Sequence, residues 1–105
     1  MTQLIKSKLD KIAKYAKNNS DWIRKLIVFG DVLVDNNEDD IIELAVDFND
    51  DFDIDECFDN LITIIDNISE GMFELLIING DNLTSNALKE IEEGVVIYEA
   101  SKKII

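Results

Sequence analysis

The chain has 105 residues, 47 % of them hydrophobic and 31 % charged, with no proline, so it holds enough apolar material for one domain and lacks the composition of a disordered segment. It has no histidine and one cysteine, Cys57, which excludes an internal disulfide, a zinc site of the usual Cys/His type and histidine acid–base chemistry. The net charge of −13 is unevenly spread: residues 1 to 29 hold seven Lys/Arg against two Asp/Glu, and residues 30 to 88 hold none against seventeen, a block that argues against a nucleic-acid partner.

At the amino terminus, Lys6 and Lys8 interrupt any secretory apolar run, and the longest later aliphatic run, Leu75 to Ile78, is far short of a membrane span. A soluble cytoplasmic protein with no membrane partner is expected. Ile5, Leu9, Ile12, Ala13 and Ala16 recur with the helical period, which predicts an amphipathic helix over residues 3 to 18 with Lys8, Lys11, Lys14 and Lys17 on its solvated flank. Asn18-Asn19-Ser20 ends it. Ile23 to Val34 reads as a strand interrupted at Gly30, and residues 35 to 40 read as a polar loop.

From Ile41 to Phe48 the side chains alternate, with Ile42, Leu44, Val46 and Phe48 on a core face and Ile41, Glu43, Ala45 and Asp47 on the other. Asp53 followed by Glu56 forms a capping box that opens a helix through Ser69, with Phe58, Leu61, Ile62, Ile65 and Ile68 inward and Cys57 half-buried in the first turn. The run Asp51-x-Asp53-x-Asp55 resembles the start of a calcium loop. Glu56 stands at the place of the loop glycine and Ile62 at that of the bidentate acid, so capping is its reading.

Glu70-Gly71 turns the chain into a strand from Met72 to Ile78, and residues 79 to 82 form a turn cluster. A short helix follows from about Ser85 to Glu93, with Gly94 as a left-handed cap and Val95 to Tyr98 as the last strand. Trp22, Tyr98 and the five phenylalanines are read as core. The order α-β-β-α-β-α-β describes an α+β fold, a small mixed β-sheet covered by helices, with residues 1 to 105 as a single domain.

Four segments carry a resemblance: Val28-Phe29-Gly30, Ile41-Ile42-Glu43-Leu44-Ala45-Val46, Phe73-Glu74-Leu75-Leu76, and Ile91-Glu92-Glu93-Gly94-Val95-Val96-Ile97-Tyr98. In that order and spacing, residues 22 to 99 resemble a minimal nucleotidyltransferase (MNT) domain of the DNA polymerase beta-like superfamily. Such domains are often encoded beside a HEPN-type helical protein in prokaryotic toxin–antitoxin pairs. The family pattern is a strand ending Phe-Gly-Ser, whose backbone N–H groups and hydroxyl cradle a nucleoside triphosphate, then Asp-x-Asp and a later acidic residue that hold magnesium.

Carried over, the resemblance places the phosphate turn at Gly30 and Asp31 and the catalytic acids at Ile41, Glu43 and Glu74. Asp31 sets a carboxylate where the family has a donor, and Ile41 supplies no oxygen. Glu43 and Glu74 remain as metal ligands, converging from neighbouring strands where opposed Cβ atoms lie about 5 Å apart. Asp39, on the same side, is about 13 Å from Glu43 at ~3.3 Å per residue, and Asp40 points the other way. Val32 and Val34 occupy places where the family tends to carry arginine.

With these substitutions the resemblance implies a catalytically inactive, nucleotidyltransferase-like pseudoenzyme without a cofactor. It would act as an interaction module, the antitoxin-like partner of a HEPN-type helical protein or a homodimer. The alternative it implies is an active enzyme that uses Mg2+ and an NTP to transfer an NMP group to a protein or small molecule, with Glu43 and Glu74 on the metal. The basic first helix and the acidic block also make opposing surfaces, which implies salt-sensitive self-association.

Overall fold

Helix α1 (Gln3–Lys17) starts at Thr2, whose hydroxyl accepts the Ile5 backbone N–H at 3.2 Å, and it ends on the basic pair Lys14 and Lys17, which suits the negative end of the helix dipole. The computed structural model describes residues 1–34, 41–78 and 83–100. The expected polar loop at 35 to 40, with Asp39 and Asp40, and the turn cluster at 79 to 82 lie outside the described residues. Along α1, Ile5, Leu9, Ile12 and Ala16 are buried, a stripe at helical spacing that lies on the sheet.

Strand β1 (Ile23–Phe29) pairs antiparallel with β2 (Ile42–Phe48) and, on its other side, with β4 (Val95–Glu99). The strand β3 (Phe73–Ile77) lies parallel to β2, which gives the spatial order β3-β2-β1-β4 and a mixed four-stranded sheet. The parallel pair requires a crossover, and α2 (Ile54–Ser69) supplies it. With α3 (Ser85–Glu92), the element order matches the expected α-β-β-α-β-α-β. None of the helices among the described residues is long and apolar enough to cross a membrane.

The two faces of the sheet are covered unequally. Side chains of α1 and α2 pack with Leu26, Val28, Ile42, Leu44, Val46, Phe48 and Leu75 in the main core. On the opposite face Ile91 of α3 closes over Ile27, Phe29 and Ala45. Trp22 stacks on Phe48 with ring centroids 6.2 Å apart and meets Tyr15 edge-on, and its indole N–H donates to Asn19 Oδ1 at 3.2 Å. Trp22 and Tyr98 are partly buried and pack against the main core, whereas Phe52, also read as core, is 43 % exposed.

Three expectations are corrected. The first strand stops at Phe29 instead of running to Val34, because Gly30 takes φ 84° and ψ −158° and the chain then coils into a 3-10 turn over Asp31–Leu33. Cys57 is buried, not half-buried, and the inner line of α2 is Cys57, Leu61, Ile65 and Ser69; Phe58, Ile62 and Ile68 are only partly covered. The Ser69 hydroxyl is accommodated in the core by donating to the Ile65 carbonyl at 2.7 Å.

Gly94 is the third. The helix ends on Glu93 in the right-handed region, and the positive-φ residues among the described residues are Gly30, Glu70 and Gly71. Gly94 is small for a different reason: a methyl group there would stand 2.6 Å from the Val28 carbonyl oxygen and 2.7 Å from Ile27 Cγ2. The glycine lets the α3–β4 connection lie directly on β1. Gly94→Ala is therefore expected to cost about 1–3 kcal/mol by overpacking, read as a lower urea midpoint with an unchanged slope, whereas a simple loss of chain flexibility would raise the midpoint.

Candidate functional site

The Gly30 turn is built from a backbone conformation that few residues other than glycine adopt, since positive φ combined with ψ near −160° is forbidden to side chains with a Cβ. Leu33 N–H donates to the Gly30 carbonyl at 3.2 Å and Val34 N–H to the Asp31 carbonyl at 3.1 Å, and Val32, 1 % exposed, pins the turn to the core. Asp31 points into solvent.

Register then brings the acidic residues to this turn. Phe29, the last residue of β1, lies opposite Glu43, and Glu43 lies opposite Glu74 across the parallel pair, so the two glutamates sit on neighbouring strands, as expected, and on the α3 side of the sheet. Glu74 is exposed and Glu43 half-buried. Ile41 precedes β2, is 53 % exposed, and has no ligand atom to contribute.

Glu43 does not reach outward. A methyl group on Gly30 would overlap Glu43 Oε2, so the carboxylate is seated against the bare Cα of the glycine, and it accepts the backbone N–H of Asp31. Burial, then the charges of Glu74, Glu90 and Asp31, push the Glu43 carboxyl above the ordinary glutamate range, while the Asp31 N–H bond works in the opposite sense.

Glu90 is the residue that the sequence reading did not place here. The signal for it was present, because α3 must turn Ala87 and Ile91 toward the sheet, and a residue one position before Ile91 then borders the same face as Glu43.

The chemistry open to this arrangement is limited. Among the described residues no group of three or more Asp, Glu, His or Cys is arranged to hold a metal ion. The calcium-like run is a cap: Asp53 Oδ1 accepts the N–H groups of Asp55 at 3.0 Å and Glu56 at 3.4 Å, and Asp51 N–H donates to Asn49 Oδ1. Burial, with Glu56 and Asp53 nearby, pushes the Cys57 thiol up and away from the reactive thiolate. No protein-family model and no curated protein matches the chain.

Because folding raises the Glu43 pKa, the folded chain holds that proton more tightly than the unfolded chain, so ionisation of Glu43 erodes stability as pH climbs through the folded value. Glu43→Gln keeps an acceptor for Asp31 N–H and removes the charge. It is expected to stabilise the protein at neutral pH by a few tenths to about 1 kcal/mol, the size of a like-charge cross-strand pair. The gain should shrink toward about pH 4 and vanish below it, where the unfolded carboxyl too is protonated. Urea titrations of both proteins at the two pH values check this, and a variant weaker at neutral pH would show that the Asp31 bond outweighs the repulsion.

Proposed function

We propose that this chain is a nucleotidyltransferase-like protein that acts through protein contacts without turning over a nucleotide, as the antitoxin-like partner of a helical protein. The observation that carries the inactive part of this reading is the seat of Glu43. A turn that cradles a triphosphate must offer its N–H groups to phosphate oxygens. Here the Asp31 N–H already serves a protein carboxylate lying on Gly30, and a second carboxylate, Asp31, stands at the turn. An incoming phosphate would have to displace one anion while facing another.

The metal side supports the same reading. Two-metal phosphoryl transfer uses ions about 4 Å apart, each with several oxygen ligands. Ile41 contributes none, and Glu43 is committed to the turn. The charge distribution fits a protein partner with a basic face, since residues 30 to 88 hold seventeen acidic residues and no basic one. A HEPN-type helical partner is the one that the sequence resemblance suggests.

Isotopically labelled protein titrated with magnesium and ATP to several millimolar is expected to show no saturable shifts at Gly30, Glu43 or Glu74. Saturable shifts at those three positions would replace this reading with the magnesium-dependent enzyme. For the partnership, co-expression with the product of an adjoining open reading frame is expected to give a complex that survives chelation of divalent metal.

A further inference from the structure

We draw no further inference here: the strongest candidate, the surface patch at the start of α2 where the exposed Phe52 and Ile54 stand among Asp50, Asp51, Asp53 and Asp55, is an acidic cluster beside two single apolar side chains, and nothing in the structure shows what covers it.

Discussion

Ile42, Leu44, Val46 and Phe48 are each exposed by 1 % or less, so β2 cannot slip by one residue without turning four apolar side chains into solvent. At about 1.5–3 kcal/mol for each buried side chain, that slip would cost as much as the whole stability of a small domain. The register of β2 is therefore the constraint from which the rest follows. It assigns Glu43, Ala45 and Asp47 to the opposite face, where α3 covers Ala45 and leaves Glu43 at the margin beside Gly30. It also sets Glu74 beside Glu43 through the parallel ladder. The acidic site is a consequence of packing on the other side of the sheet.

Much of this was legible because the governing patterns are local. A period of two over seven residues, a helical stripe on α1, and an aspartate N-cap before α2 each depend on neighbours in sequence, and the structure agrees with them. The failures have a different origin. Gly94 was read through the local rule for helix ends, whereas its real constraint is the Val28 carbonyl, which is distant in sequence and adjacent in space. A strand from Ile23 to Val34 interrupted at Gly30 is the expectation, yet the residues after Gly30 form a 3-10 turn from which Val32 is buried. Apolarity marks burial; it does not by itself mark the element that delivers it.

The site was legible in the same partial way. The nearness of Glu43 and Glu74 rests on the order and spacing of the resemblance, since alternation fixes the face a residue takes and not its partner on the next strand. The seat of the Glu43 side chain on Gly30 was not legible, since it depends on a glutamate rotamer and on the positive φ of the turn. Glu90 depends on how α3 docks, through the close approach that Gly94 permits. Tertiary placement, rather than composition, concentrates four carboxylates here. Burial and the neighbouring charges then raise the Glu43 pKa.

That seat makes metal capture and turn occupancy competitive. A cation bridging Glu43 and Glu74 would relieve the repulsion between them, but it would draw the Glu43 carboxylate off Gly30 and leave Asp31 N–H without its acceptor. A phosphate arriving at the emptied turn would recover that bond only by accepting the neighbouring Asp31 carboxylate. Either ligand would have to displace Glu43 from the turn, and among the described residues no group of three or more carboxylates is arranged to hold a metal ion in its place. In this geometry the Glu43 carboxylate occupies the face of the Gly30 turn, and that placement is what the proposed function rests on.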